Sequence, residues 1–174
     1  MQVAGKTILL TGGTDGIGRE LAGQLKAKGA TVIVTGRTPE RIEAAKAAGY
    51  EVIAADLSSQ AGVDAILSAV KGRAIDILIN NAGLGSDHDF REAMPDLADN
   101  DRCIAANLNA PIHLITHLMP VLRARPEAMI VNVTSGLAIA PRSGGPIYCA
   151  TKAGLRSYTL ALRHQLRDTA IHVL

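Results

Sequence analysis

Lys6-Thr-Ile-Leu-Leu-Thr11-Gly12-Gly13-Thr14-Asp15-Gly16-Ile17-Gly18 is the stretch that decides the fold. It opens as a short apolar run of the kind that forms a buried parallel strand. The run passes straight into a glycine-rich turn and then into Arg19-Glu-Leu-Ala-Gly-Gln-Leu-Lys26, which has helical spacing. Strand, glycine-rich turn and helix, in that order, are the context a dinucleotide fingerprint requires. Gly12 suits the tight turn, Gly16 lets backbone approach a pyrophosphate, and Gly18 lets the helix pack on the strand. The helix start offers free N–H groups and the positive end of its dipole to phosphate. Thr14, Asp15 and Ile17 complete the turn and are candidate cofactor contacts with the three glycines. The spacing is G-x-x-x-G-x-G rather than G-x-G-x-x-G, and an ordinary strand-to-helix connection is the plain alternative.

Outward from this stretch, apolar β-rich runs alternate with helical patterns. The strands are expected at Thr7–Leu10, Thr31–Thr35, Glu51–Ala55, Ile75–Ile79, Met129–Val133 and Ile171–Leu174. The helices are expected at Gly16–Lys28, Pro39–Ala48, Ala61–Lys71, Asp96–Arg123 and Tyr148–Arg167. Gly29, Gly49 and Gly72 fall where helix C-caps belong. Such alternation builds right-handed βαβ units on a parallel sheet. The expected fold is α/β, a doubly wound Rossmann sheet in the order 3-2-1-4-5-6, with ligands beyond the carboxyl ends of the strands.

A second chemical motif lies far along the chain. Thr134-Ser135 is followed by a Gly/Pro-rich loop and then by Tyr148-Cys-Ala-Thr-Lys152, which opens a helix. A Tyr and a Lys four residues apart share one helix face. A free phenol, with a pKa of ~10, is a poor acid–base group near neutrality, and a nearby ammonium favours the phenolate. That pairing suits a reaction in which a hydride and a proton move together between an alcohol and a carbonyl. Tyr148 is the candidate acid and base, and Lys152 tunes it. Ser135 follows an apolar strand, so its hydroxyl can donate to a substrate oxygen, although a loop hydroxyl can equally bond local backbone. Asn107 precedes Pro111 by four residues inside a helical pattern. Proline has no N–H for the carbonyl four residues back, which leaves that of Asn107 free for a water, or simply kinks the helix.

Together these motifs resemble the short-chain dehydrogenase/reductase family, and the likeness runs from end to end. Thr11-Gly12-x-x-x-Gly16-Ile17-Gly18 is similar to its cofactor turn, Asp56-Leu57 to its adenine-contacting pair, and Asn80-Asn81-Ala82-Gly83 to its signature after the fourth strand. Asn107, Ser135, Tyr148 and Lys152 fall where the family keeps its catalytic four. The stretches around Asn107, Ser135 and Tyr148, with Ser157-Tyr-Thr-Leu-Ala-Leu-Arg163, are further similar to the DltE-like subgroup. The resemblance implies an NAD(P)-dependent oxidoreductase acting on a small carbonyl or alcohol. It implies that Lys152 also holds the nicotinamide ribose with Tyr148, and that a water at Asn107 relays protons to Lys152. It implies a homodimer or homotetramer paired through the two long helices.

The choice of cofactor rests on the end of the second strand. NAD sites carry an acid there for the ribose 2′-hydroxyl, whereas NADP sites use an Arg for the 2′-phosphate. Thr35-Gly36-Arg37 offers no acid and one arginine, so NADP is expected, with NAD possible. Asp15 runs against this, because NADP-preferring relatives often carry a basic residue there. Asp56 is expected to contact adenine or to cap the next helix with Ser58 and Ser59.

Composition excludes several other classes. The 174 residues are 48% hydrophobic, 20% charged and 2% aromatic, which suits one globular domain with an aliphatic core. A net charge of +2 is too small to argue for nucleic acid or an anionic membrane surface. Cys103 and Cys149 have no metal or CxxC spacing and read as reduced thiols. His113 and His117 are one turn apart without a third ligand, so no metal is expected. No signal peptide or spanning run is visible, so a cytoplasmic protein is expected. The resembled family continues past Ile171-His-Val-Leu174 through a substrate loop and helix to a seventh strand. Residues 1–174 are therefore expected to form a single NAD(P)-binding domain truncated before those parts, with an uncovered sheet edge. A non-catalytic dinucleotide-binding or redox-sensing module is the rival to the enzyme, and a lyase or epimerase with retained NADP is a second.

Overall fold

The structure is a computed structural model that describes residues 1–94 and 96–174. Six parallel strands, β1 (Thr7–Leu10), β2 (Thr31–Gly36), β3 (Glu51–Ala54), β4 (Ile77–Asn80), β5 (Ala128–Asn132) and β6 (Ile171–Val173), form one sheet in the order β3-β2-β1-β4-β5-β6. This is the expected doubly wound order. The helices are α1 (Gly16–Ala27), α2 (Pro39–Ala47), α3 (Gln60–Ala69), α4 (Leu97–Ile104), α5 (Ala110–Arg123) and α6 (Pro146–Leu166).

The period-2 geometry of β1 sorts its side chains into two layers. Ile8 and Leu10 pack with Ala22 and Leu25 of α1 and with Val32, Val34, Ile77 and Ile79. Leu9 faces the other way, with Ile33, Leu78 and Ile130, against Ile66 of α3, Leu114 and Leu118 of α5 and Leu162 of α6. Burying each such aliphatic chain contributes roughly 1.5–3 kcal/mol, which is why so short a strand can anchor the sheet. On the α1 layer Met129, Val131 and Val133 are only partly buried. Among the described residues no helix is long and apolar enough to cross a membrane.

Polar side chains lock the sheet where apolar packing gives no direction. Asp76, 3% exposed, accepts from the Thr7 N–H through Oδ2 at 2.8 Å and from Arg125 Nε through Oδ1 at 2.7 Å. Burial pushes its carboxyl up, but Thr7, Arg125 and Lys6 outweigh that and hold it below the usual carboxylate range. Asn80 Nδ2 donates to Asn132 Oδ1, and Asn132 Nδ2 donates to Thr159 Oγ1, so a buried polar chain joins β4, β5 and α6.

Helix ends agree with the sequence to within one or two residues, and Gly29, Gly49 and Gly72 carry φ of 83°, 76° and 74° beyond α1, α2 and α3. Three expectations need correction. The single helix expected over Asp96–Arg123 is α4 and α5 joined by a π segment, Ala105–Asn109, in which the Ala110 N–H donates to the Ala105 carbonyl. Asp96 is its N-cap, accepting from the Ala98 N–H at 2.9 Å. The shift to the wider register comes just before Pro111, which has no N–H with which to continue the α ladder. The fourth strand begins at Ile77 rather than Ile75. The residue that caps α3 is Ser59, whose Oγ accepts from the Gly62 N–H at 3.2 Å, while Asp56 closes a local turn onto Ser58 N and Oγ.

Candidate active site

At the carboxyl end of the sheet, where β1, β2, β3 and β4 turn into the next segments, lies a cleft of about 340 Å³. Its wall is made by Gly12, Thr14, Asp15, Gly16, Ile17 and Gly18 from the first turn, Gly36 and Arg37 from the second, Asp56 and Leu57 from the third, and Asn81, Ala82 and Gly83 from the fourth. These are the sequence-predicted cofactor residues, with Tyr148 and Lys152 set apart from the wall.

The first turn is shaped for a close ligand. Gly12 and Gly16 have φ of 68° and 50°, a region that side chains with a Cβ rarely adopt. A Cβ on Gly12 would come within 2.9 Å of Ala82 Cα, whereas the space beside Gly16 is open. A Cβ on Gly18 would strike the Gly12 carbonyl, so helix and turn meet only through glycine. Thr11 Oγ1 accepts from the backbone N–H groups of Asn81 and Ala82 at 3.0 and 3.1 Å, and Asn81 Nδ2 donates to the Thr11 carbonyl at 3.0 Å. The first and fourth turns are thus one rigid wall.

Behind that wall sits the second constellation. A Cβ placed on Gly83 would lie 3.3 Å from Asn107 Oδ1 and 3.5 Å from Lys152 Nζ. Gly83 therefore lines the cleft, and the space left by its missing side chain borders both buried polar groups. Asn107, fully buried in the π segment, donates from Nδ2 to the Leu84 carbonyl at 2.8 Å and to Thr151 Oγ1 at 3.1 Å, with Cys103 Sγ 3.3 Å from the same nitrogen. Its Oδ1 accepts from the Leu84 N–H at 2.7 Å.

Lys152 is 4% exposed and donates to the Val133 carbonyl at 2.9 Å, so it is not a solvated helix lysine. Its Nζ stands 5.9 Å from the centre of the Tyr148 ring. Burial pulls its pKa below the usual lysine value, with the Cys103 sulfur opposing. Burial likewise pushes the Cys103 thiol up, against a bond from Thr151 and the charge of Lys152. Ser135 lies two residues past Val133 and caps a 3-10 turn, Gly136–Ala138, that the sequence did not disclose. Its Oγ accepts from the Leu137 N–H at 3.1 Å. The local bond weighed for this hydroxyl therefore exists, and it uses Oγ only as an acceptor.

Sequence reasoning passed over Thr151, Cys103 and Arg41. Thr151 and Cys103 carry no local signal, because their partner Asn107 is distant in the chain or on another turn. Arg41 had one: it stands four residues beyond Arg37, and it lines the same cleft. His113 and His117 are both exposed on α5.

Comparison with known proteins supplies the class. Residues 6–174 match the short chain dehydrogenase family, and the chain belongs to that family. It is similar to the uncharacterized oxidoreductase DltE of Bacillus subtilis (strain 168), at 40% identity over all of this chain and 71% of that protein. It is 34% identical to serine 3-dehydrogenase of Rhizobium radiobacter, over 96% of this chain and 68% of the relative. The L-sorbose reductase of Gluconobacter frateurii, solved with NADPH and L-sorbose, superposes with a TM-score of 0.88 at 30% identity, over 99% of this chain and 69% of that one. The protein is thus an oxidoreductase of the short-chain class with the DltE-like character expected from its sequence.

Proposed function

We propose that this chain is an NADP(H)-dependent carbonyl reductase or alcohol dehydrogenase. The observation that carries this is the position of Gly83, which lines the cleft while abutting Lys152 and Asn107. The cofactor cleft and the proton-handling residues thereby lie on either side of Gly83.

The cleft residues suit a dinucleotide. The glycine turn and the start of α1 would hold the pyrophosphate, with the open space at Gly16 admitting it. Asp56 and Leu57 would meet the adenine, Asn81, Ala82 and Gly83 the nicotinamide half, and Arg37 a 2′-phosphate. NAD remains a weaker ligand of the same cleft. When bound, the cofactor supplies or accepts the hydride.

Tyr148 gives the proton to the carbonyl oxygen in reduction and removes it from the alcohol in oxidation. The Lys152 ammonium, 5.9 Å from the centre of the Tyr148 ring, would favour negative charge forming on the Tyr148 oxygen during proton transfer and would hold the nicotinamide ribose. The Ser135 hydroxyl retains its hydrogen for the substrate oxygen, since its Oγ serves Leu137 as an acceptor. Asn107 holds Leu84 and Thr151 in place around Lys152 and supports proton relay. Two copies would pair through the exposed faces of α5 and α6.

Serine and L-sorbose are the first substrates to test, because relatives are named for them. Turnover is followed through the nicotinamide absorbance. Tyr148→Phe is expected to lower kcat by ~100-fold or more while leaving NADPH affinity within a few-fold. Unchanged turnover in that variant would overturn the assignment.

A further inference from the structure

Asp15 immediately precedes α1 with the extended backbone of an N-cap, φ −150° and ψ 162°, yet its side chain makes no capping hydrogen bond. Aspartate at such a place ordinarily accepts from an N–H of the first helical turn. Here the carboxylate reaches across to Arg41 Nη1 at 2.6 Å. Arg41 belongs to the first turn of α2 and lines the cleft together with Asp15 and Arg37. Among the described residues Arg37 is in no ion pair, and its charge acts on the Asp56 carboxyl that lines the same cleft.

We infer that Arg41 is a second reader of the cofactor's 2′-phosphate, and that the Asp15–Arg41 pair sets the preference between NADP and NAD. This deepens the dinucleotide reading given above and rests on it. Asp15 alone would repel a phosphate at the cleft mouth. Paired with Arg41 it is neutralised, so its charge no longer opposes a phosphate at Arg37. Both side chains are about half exposed, at 54% and 53%, so the pair can rearrange when a ligand enters. A guanidinium presents five donors in a rigid fork, so Arg41 can keep Asp15 on one edge and offer another to phosphate. Asp15 can also accept from the ribose hydroxyls of a cofactor that lacks the phosphate, which makes the preference graded rather than absolute. The aspartate that stood against NADP in the sequence becomes the group that positions a cation for it.

The test is titration of the full chain with NADPH and with NADH, for the wild type, Arg41→Ala, Arg41→Lys, Asp15→Asn and the Arg41→Ala/Asp15→Asn double variant. Circular dichroism verifies the fold of each. Arg41→Ala is expected to weaken NADPH binding by about tenfold or more, the scale of one hydrogen bond to a charged group, and NADH binding by less than about threefold. Arg41→Lys should fall between, because it keeps the charge and loses the fork. The double variant should recover part of the NADPH loss, because the unpaired carboxylate is gone, and should not recover all of it. Equal effects on both cofactors, or none, overturn the inference and leave the dinucleotide reading standing. A folded wild type that binds neither cofactor overturns both.

Discussion

Asn107 Nδ2 lies 3.1 Å from Thr151 Oγ1, so the π segment is tied to α6 at the residue before Lys152. The same amide grips Leu84 from both sides, donating to its carbonyl and accepting from its N–H. A single side chain thereby sets the spacing between the β4 turn, the long interrupted helix and the helix that carries Tyr148. It can do so because the π register places it in the interior, at 0% exposure, where hydrogen bonds are not shared with water.

Replacing Asn107 with Ala strands the Leu84 N–H and leaves its carbonyl only the Cys103 thiol, 3.4 Å away. The expected cost is about 2–4 kcal/mol in urea unfolding, with a loss of turnover larger than the loss of NADPH affinity. Thr151→Val should give a smaller version of both effects, because it removes only one partner. An Asn107→Ala protein as stable as wild type would show that the amide does not brace the site.

Lys152→Met should abolish turnover without unfolding the protein. Folding buries this ammonium, and burial lowers its pKa below the ordinary value of 10.5. Below the folded pKa both states are protonated and the full desolvation cost stands. As pH rises from the folded pKa toward 10.5, the unfolded chain binds more protons and the wild type gains stability. The variant carries no such cost, so at neutral pH it should match or exceed wild type, within about 1 kcal/mol for the lost bond to Val133. Its advantage should shrink as pH climbs. Thermal unfolding across that range reads the difference directly.

Asp76→Asn addresses the opposite limb. The folded carboxyl lies below its ordinary 3.8, so its contribution is complete above that value and is lost as pH falls through the folded pKa. The variant should be less stable than wild type near neutrality by about 1–3 kcal/mol, the cost of disturbing a buried hydrogen-bonded charge. The two stability curves should converge in acid below 3.8. Parallel curves would mean that the Thr7 and Arg125 contacts do not hold the carboxylate.

Gly18→Ala should separate packing from cofactor chemistry poorly, and that is informative. The added Cβ meets backbone at Gly12, which cannot rotate away, so α1 must shift off the turn. A destabilisation of about 1–3 kcal/mol is expected, together with weaker binding of both NADPH and NADH. Gly16→Ala has open space instead, so its cost should come from the φ of 50° alone. A weaker effect at Gly18 than at Gly16 would contradict this account.

The strands, their parallel order and the glycine turn were legible because each is written locally. β1 is an unbroken apolar run, and the period-2 alternation of Ile8, Leu9 and Leu10 sends side chains to two helical layers whatever the rest of the chain does. The spacing of Tyr148 and Lys152 on one helix face was likewise set by helix geometry. The joint between the cleft and the candidate catalytic residues was not legible, because Gly83, Asn107 and Lys152 are far apart in sequence and come together only when β4, the π segment and α6 pack. Pro111 announced an interruption, but the choice between a kink and a π register depends on what the Asn107 side chain finds in the interior.

The sequence by itself determined the class of this protein: βαβ alternation, a phosphate-ready turn and a Tyr/Lys pair follow from residue type and spacing at short range. Tertiary structure decided how those parts act on one another. It buried Lys152 and lowered its pKa, set Asn107 as the brace between three elements, and paired Asp15 with Arg41. Burial and charge pairing depend on neighbours that only packing brings within a few ångströms, and no local pattern encodes them.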